Sequence, residues 1–591
     1  MKVIFMKKLE ITYVYINNDE QFYKELGSLE SAGIIGIDTE TTGLDPLEDK
    51  LMLLQLAVSA HHALVISVAG LGTGAMDKLR ELLRSDRVKV FQNAKFDLKF
   101  LRQAGLEVRG PVFDTMLAAQ IIHNGLAYQS NSLEALAEQY LGIRLDKTEQ
   151  KSDWSRGLTE SQLEYAARDA AILLPLRESL VEKIKEGRLI EVCKLEFECL
   201  HAVAEMELKG ILLDGEAWKA LYEKYTAEQR ELSDKLLEEL GQGSVQMNFF
   251  GEEKVVGINL DSHQQMIKAF RSRNINLEST SHRELMEYKG KSRMVDWFLE
   301  YRRVTKAIQS FLSPIPQYIS SATGRLHPSY YQMGAYSGRF SCGNPNIQQI
   351  PRGKEFRGCF IPGRGCKLVI ADYSQIELRV AAEIAQDSTM LEAYRQNIDL
   401  HSLTASLMAN KPVSEVGKQE RQAAKAVNFG LIYAMGARGL QGYARSVYEV
   451  DMSLEEAELF RSRFFDAYKG IAKWHERMKK ASDLREIRTL SGRRILFGEH
   501  PGLSALLNMP VQGTAADIVK RALGLLVPVA ARLGGSIIAT VHDEILLEVP
   551  EAAAEEAARE LKSVMEAAGA YFLKKVPVVA ETVIADSWAD K

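Results

Sequence analysis

Short apolar runs bounded by polar or turn residues recur through the first 190 residues, at 34–37, 51–58, 63–68 and 88–91. Between them lie stretches with apolar residues at helical spacing, of which 76–83 is the clearest. Apolar runs of this length predict buried strands, and strands alternating with helices predict a sheet covered by helices. From 189 to 240 the spacing turns helical, with many Glu and Lys. Residues 241–257 are Gly-rich and read as a loop, and helical patterns resume over 263–318. After Gly324 the pattern is mixed: 367–371 reads as a buried strand, 391–490 as mostly helical, and 536–549 as a strand pair. There is no internal repeat. The expected fold is a multidomain one, α/β at the start and α+β afterwards.

The length of 591 residues suggests about four units. Hydrophobic residues at 46% and charged residues at 26% exclude a mostly disordered chain. The net charge of -5 excludes a globally basic nucleic-acid coat protein but leaves room for a basic groove. Residues 301–360 carry eight Lys or Arg against one acid, Glu355. Composition alone leaves a solvated surface and a phosphate-tracking groove about even there. The five cysteines, at 193, 199, 342, 359 and 366, contain no C-x-x-C pair, against a disulfide framework or a structural zinc site. Residues 1–20 lack the apolar stretch of a secretory signal, and no apolar run reaches the roughly 18 residues of a membrane span. The expected location is the cytoplasm, or an organelle interior after processing.

Candidate chemistry begins where the first predicted strand ends, in Ile37-Asp38-Thr39-Glu40. Residues two apart on a strand share a face, so both carboxylates project together. Such a pair suits Mg²⁺ or Mn²⁺, which prefer oxygen donors, although a lone D-x-E is usually just solvated. Asp97, in Asn93-Ala94-Lys95-Phe96-Asp97, adds a third carboxylate, and Asp169 a fourth, one helical turn after Tyr165. Taken in order, these residues resemble the DEDD family of 3′→5′ exonucleases, in the variant with Tyr in the third motif. Asp114-Thr115 and the stretch 132–154 resemble the proofreading domain of the bacterial DNA polymerase I family. The resemblance implies that Asp38, Glu40, Asp97 and Asp169 hold two metal ions about 4 Å apart, and that Tyr165 orients the attacking water.

A second acid pair lies far along the chain. Residues 367–371 run into Asp372, and 537–541 run into His542-Asp543-Glu544 ahead of another apolar run, reading as a hairpin with acids at its bend. If the strand ends are neighbours, Asp372 and Asp543 make a second two-metal site; either motif alone would leave two unrelated loop acids. Between them, Arg421, Lys425, Phe429 and Tyr433 recur every four residues, a cation-cation-aromatic-aromatic stripe on one helix face. Such a face suits a triphosphate at one end and a sugar and base at the other.

These segments resemble motifs A, B and C of the family A DNA polymerases. Supporting stretches match in order: Tyr301-Arg302 with Lys306, 324–328, Ser337-Gly338-Arg339, Pro345-Asn346-Ile347-Gln348, Asp399-Leu400-His401 and Val511-Gln512-Gly513-Thr514. The resemblance implies a template-directed DNA polymerase with proofreading, built as a ribonuclease H-like exonuclease domain (1–190) and a right hand. The hand comprises a thumb (191–325), a palm in two parts (326–392 and 501–591) and fingers (393–500). It implies two Mg²⁺ per active site, replaceable by Mn²⁺, with Asp372, Tyr373 and Asp543 as polymerase ligands and Glu544 beside them. Arg421, Lys425 and His401 would meet the triphosphate, with Gln375 also at the nucleotide. Phe429 would sense the sugar 3′ position, Tyr433 would lie near the template base, and Glu377 would block a 2′-hydroxyl. Arg339 and Gln512 would read minor-groove acceptors, with Asn508 one turn from Gln512, and Asn346, Gln348 and His542 would also contact DNA. The implied partners are primer-template DNA and deoxynucleoside triphosphates, met by a monomer with no membrane association.

The 5′-nuclease domain of full-length bacterial relatives has no counterpart here, which suits a natural short polymerase and a trimmed one equally. Departures from the family pattern are Ala335 and Ser337 where Thr is frequent, Gln349 for Asn, Ala434 for Gly and Ser504 for Arg. They leave the metal ligands intact. Rival readings fare worse: a nuclease with a merely binding second half needs no stripe or second acid pair, a scaffold needs no acids at either site, and Glu377 with Phe429 argues against a single-subunit RNA polymerase.

Overall fold

The computed structural model describes residues 10–126, 130–150, 152–154, 157–240, 245–247, 253–255, 257–481 and 483–591. The N-terminal region forms a six-stranded sheet in the order Thr12–Ile16, His62–Ser67, Leu51–Ser59, Ile34–Thr41, Val88–Phe91, Val112–Asp114. The central three strands are antiparallel neighbours, and the outer pairings are parallel. All four strands expected from the sequence are present. Thr12–Ile16 and Val112–Asp114 were not expected: one is a half-buried edge strand and the other is only three residues long.

In Ile34–Thr41, Gly36, Asp38 and Glu40 share a face, because side chains alternate along a strand. Helix Glu160–Glu186, started by a capping box between Thr159 and Gln162, lies across that face. The approach is close enough that a Cβ on Gly36 would sit 2.4 Å from the Ala170 carbonyl oxygen. Gly36 therefore sets how near the helix bearing Tyr165 and Asp169 comes to the strand bearing Asp38 and Glu40.

The continuous helical stretch expected over 189–240 is broken. Helix Ile190–Lys209 ends at Gly210, which adopts φ 63° beneath the Leu326 carbonyl. Strand Ile211–Leu213 follows and pairs with Arg325–Leu326 and Phe360–Ile361 before helix Gly215–Leu240 begins. Helical periodicity alone does not register such a break; the glycine does. Of the Gly-rich stretch expected to be a loop, the described residues form a hairpin, Val245–Met247 with Glu253–Val255, and the remainder lies outside the described residues.

Helix Gly215–Leu240 packs on Arg293–Ala307, forming a helical projection. The second large sheet is antiparallel, in the order Ser536–Val541, Glu544–Pro550, Cys366–Tyr373, Ala580–Ala585. Helix Ala554–Phe572 packs on it and also on helix Leu503–Arg532. Leu400–Ala409, Lys418–Ile432, Ala437–Tyr448 and Leu454–Ala467 pack on one another as a helical group.

Helix Ile190–Lys209 joins the halves through three buried carboxylates. Glu196 receives Lys520 Nζ at 2.6 Å and the Arg493 guanidinium, all three fully buried. Glu205 accepts the Ile537 backbone N–H at 3.0 Å. Glu207 holds Lys95 and Lys99 of helix Ala94–Gln103 at 2.7 and 2.8 Å, and accepts the Tyr330 N–H at 2.7 Å.

The contact at Gly36 yields a quantitative expectation. Gly36→Ala drives a methyl group into backbone and should cost about 1–3 kcal/mol, as overpacking generally does. Gly33→Ala, which faces open space, should fall within about 0.5 kcal/mol of the parent. Urea unfolding of the two variants checks the difference.

Candidate active sites

The first site assembles on the six-stranded sheet. Asp38 and Glu40 project from strand Ile34–Thr41, and Asp97 from the first turn of helix Ala94–Gln103. Tyr165 and Asp169 come from helix Glu160–Glu186, with the Tyr165 hydroxyl bonded to Asp169. Thr39, between the two strand acids, donates from Oγ1 to Asp97 Oδ1 at 2.6 Å. Asp114 is the N-cap of helix Thr115–Ile122 and also accepts the Ala94 N–H at 2.8 Å, so it fixes the entry of the helix carrying Asp97.

The electrostatics of this site are those of trapped like charges. Burial, then Asp97, Glu40 and Asp169, hold the Asp38 carboxyl well above the usual range. Burial, then Asp169 and Asp97, push Glu40 up to about 9. Burial raises Asp97 to about 8, with Thr39 opposing, and Asp169 to about 6, with Tyr165 opposing. Three residues here escaped the sequence reading: Thr39, Asp114 as a cap, and Gln55. Gln55 faces Asp38 directly across the strands, fully buried, with its amide unpartnered among the described residues. Its one local signal is an amide inside an otherwise apolar run.

The second site lies on the four-stranded sheet. Asp372, near the end of Cys366–Tyr373, stands opposite Glu544 in the register. Asp543 occupies the hairpin bend, where His542 adopts φ 60°. The two strand ends are thus neighbours, as the second-site reading required. Burial, then Asp372, push Asp543 up to about 7. Asp372 Oδ1 is buried without a hydrogen-bond partner among the described residues, and Lys591 Nζ lies 2.5 Å from Oδ2. Glu544 is buried and receives Trp588 Nε1 at 2.7 Å and Arg357 at 3.2 Å. The Tyr373 hydroxyl donates to the Met565 carbonyl at 2.7 Å, so only its backbone is on offer at the strand end.

A cleft of about 360 Å³ opens here, and Arg339, Gln348, Gln375, Glu377, Phe429, His542 and Asp543 all line it. Arg352 lines it too; the sequence reading had counted it only as part of the basic stretch. Arg339 donates to Glu377, whose other oxygen accepts the Tyr433 hydroxyl at 2.7 Å. Helix Lys418–Ile432 carries Arg421, Lys425 and Phe429, but Tyr433 is the residue just beyond its end. The next residue, Ala434, adopts φ 64°, where a side chain costs about 1–2 kcal/mol and glycine costs nothing.

Arg421 forms a two-pronged ion pair with Asp399 at 2.9 and 3.0 Å, and Gln375 donates to the same carboxylate at 2.9 Å. His401 is buried, its pKa pushed down to about 4 by burial, and its Nδ1 accepts from Asn428 at 3.0 Å. It therefore stays neutral, with its proton on Nε2. Asn508 and Gln512 stand one turn apart on Leu503–Arg532, Asn508 with Oδ1 buried and unpartnered among the described residues. Asn346 caps the turn holding Gln348, whose amide donates to the Thr540 carbonyl at 3.3 Å.

Both acid sets fit divalent cations. Burial and neighbouring carboxyls raise Asp38, Glu40 and Asp543, and one buried carboxylate oxygen, Asp372 Oδ1, has no donor among the described residues. Among the described residues, no group of three or more His, Cys, Asp or Glu is placed to hold a metal ion by itself. Mg²⁺ is commonly bound by one or two carboxylates together with phosphate oxygens and waters.

A buried acid cluster on one sheet and a separate acid pair beside a cation-lined cleft are arrangements suited to phosphoryl transfer. The chain belongs to DNA polymerase family A, which matches residues 216–590, and 13–185 match the 3′-5′ exonuclease family. It is a DNA-directed DNA polymerase with a 3′→5′ exonuclease domain. It is 34% identical to the DNA polymerase I of Aquifex aeolicus, over 98% of this chain and 99% of that protein. It is 30% identical to the DNA polymerase I of Pseudomonas aeruginosa, over 98% of this chain and 66% of that protein. The fold is shared with the POL domain of Pol1 from M. smegmatis, solved in complex with DNA primer-template and dNTP. There the TM-score is 0.83, with 24% identity over 98% of this chain and 99% of that one. No helix among the described residues is long and apolar enough to cross a membrane.

The raised carboxyls predict a pH dependence. A carboxyl whose pKa is higher folded than unfolded stabilises the fold while protonated, and that stability is lost as pH rises through its folded value. In EDTA, unfolding free energy should fall from about pH 4, where these carboxyls ionise in the unfolded chain, to about pH 9, with the shares of Asp169, Asp543, Asp97 and Glu40 ending in turn as pH passes their folded values near 6, 7, 8 and 9. Asp97→Asn should flatten part of that fall, and added Mg²⁺ should reverse it. Denaturant titrations across the pH range provide the check.

Proposed function

We propose that the two acid sets carry two separate phosphoryl-transfer reactions: primer extension at Asp372 and Asp543, and 3′-end removal at Asp38, Glu40, Asp97 and Asp169. Two Mg²⁺ per site, replaceable by Mn²⁺, would neutralise charge on the reacting phosphate and lower the pKa of the attacking hydroxyl or water. Asp372, Asp543 and the backbone of Tyr373 would hold the polymerase ions. Glu544, already engaged by Arg357 and Trp588, keeps the strand end in place beside them.

On the fingers helix, Arg421 and Lys425 bind the incoming triphosphate. Arg421 must first leave Asp399, so Asp399 acts as the resting partner of the cation. Neutral His401 offers Nε2–H to a phosphate oxygen. Phe429 lies under the sugar, and Glu377, held by Tyr433 and Arg339, closes the space a 2′-hydroxyl would need. Arg339, Gln512 and Asn508 contact the primer terminus, while Asn346, Gln348, Gln375 and His542 order the cleft around it. In the nuclease, Tyr165 orients the attacking water through its bond to Asp169.

The segment boundaries that suit this division are 1–190 for the exonuclease, 191–325 for the thumb, 326–392 and 501–591 for the palm and 393–500 for the fingers. Primer-template DNA and deoxynucleoside triphosphates are the partners, met by a monomer in the cytoplasm. The observation that carries the reading is that neighbouring carboxyls raise Asp38 and Glu40 in one set and Asp543 in the other, and that each set sits on its own sheet.

Asp38→Ala with Glu40→Ala should abolish 3′→5′ degradation and leave extension within about twofold, because the ions are held elsewhere. Asp543→Ala should cut single-turnover extension by more than about a hundredfold with DNA binding retained. Parallel extension and degradation assays decide; equal loss of both activities in a folded double variant rejects the division. Phe429→Tyr should raise dideoxynucleotide use more than tenfold, because the phenol supplies a donor near the missing 3′-hydroxyl. Competitive incorporation measures it.

A further inference from the structure

We propose that Lys591 is a tethered counter-ion of the polymerase site: it occupies the acid pair when no divalent ion is bound, and ions enter by displacing it. The inference rests on the reading of Asp372 and Asp543 as metal ligands. Lys591 Nζ lies 2.5 Å from Asp372 Oδ2 and 3.2 Å from Glu544 Oε2. Those two acids are direct cross-strand partners, an arrangement in which like charges repel. The ammonium bridges them.

Its position is built. Ser587 caps the short turn Trp588–Asp590 that precedes it. Trp588 is fully buried, with Phe360 edge-on at 5.3 Å, and its Nε1 donates to Glu544 Oε1 at 2.7 Å. The Arg357 guanidinium lies 4.1 Å from the Trp588 ring centroid and donates to Glu544 Oε2 at 3.2 Å. Glu544 therefore anchors the segment, and the segment delivers an ammonium to Asp372.

Charge and exposure then give the exchange. Arg357 is committed to Glu544 and the indole, which leaves Lys591, among the described residues, as the cation paired with Asp372. The Lys591 side chain is 32% exposed, so its head can swing into water while its stem stays on the surface. Arriving divalent ions repel the ammonium and take over the carboxylate oxygens it held. Lys591 thus keeps the acids in place in the resting protein and sets the ion concentration at which the site fills.

The test is Mn²⁺ binding to DNA-free protein, followed by electron paramagnetic resonance, in the Asp38→Ala/Glu40→Ala background so that nuclease ions do not count. Lys591→Met keeps the stem and removes the charge. It should bind Mn²⁺ roughly fivefold more tightly, the scale of one exposed ion pair. Lys591→Arg should resemble the parent. In EDTA, Lys591→Met should also melt below the parent, and saturating Mn²⁺ should close that gap, which loss of packing alone would not do. Unchanged or weaker Mn²⁺ binding by Lys591→Met, or a melting gap that persists with Mn²⁺, overturns the proposal. Adding Asp372→Ala with Asp543→Ala tests the premise separately: Mn²⁺ binding that survives these changes rejects the metal-site reading itself.

Discussion

Asp38 and Glu40 share one face of a strand beneath Asp169, and Asp372 faces Glu544 across two paired strands. In both places the backbone holds carboxylates closer than their charges favour, and the remaining site residues answer that repulsion. Thr39 and the Tyr165 hydroxyl donate to the nuclease acids. Arg357, Trp588 and Lys591 surround Glu544 and Asp372. These donors relieve the crowding only in part, since Glu40, Asp97 and Asp543 keep raised pKa values. Divalent ions held by the same carboxylates would relieve it further.

The two crowded sites are mechanically joined. Helix Ile190–Lys209 holds the helix bearing Asp97 through Glu207 and its two lysines. Three helical turns earlier, Glu196 holds Lys520 and Arg493 in the polymerase half, and Glu205 holds the start of the strand that leads to Asp543. Isolated charges inside a protein are costly, and removing one partner of a buried pair typically costs about 3–5 kcal/mol. These pairs therefore fix the orientation of the two halves more firmly than an apolar contact, which is free to slide.

The sequence showed the acid-ended strands because each is a local pattern: an apolar run that stops at a carboxylate. The cation-aromatic stripe was legible for the same reason, although its last member, Tyr433, lies beyond the helix because Ala434 turns the chain left-handed. Partners brought in from far along the chain left no such trace. Gln55 opposite Asp38, Arg352 in the cleft and Lys591 on Asp372 become visible only once strand register and packing are known. The break at Gly210 was missed because periodicity continues on both sides of it, and Ala580–Ala585 because a short strand of mixed polarity resembles a loop.

The central claim is that both carboxylate sets are cation sites. Anomalous scattering from crystals soaked in Mn²⁺ tests it most directly. The account predicts difference peaks at two places, one among Asp38, Glu40, Asp97 and Asp169 and one between Asp372 and Asp543, with Lys591 displaced from Asp372 at the second. Full Mn²⁺ occupancy elsewhere in the crystal, with neither carboxylate set showing a peak, would contradict it.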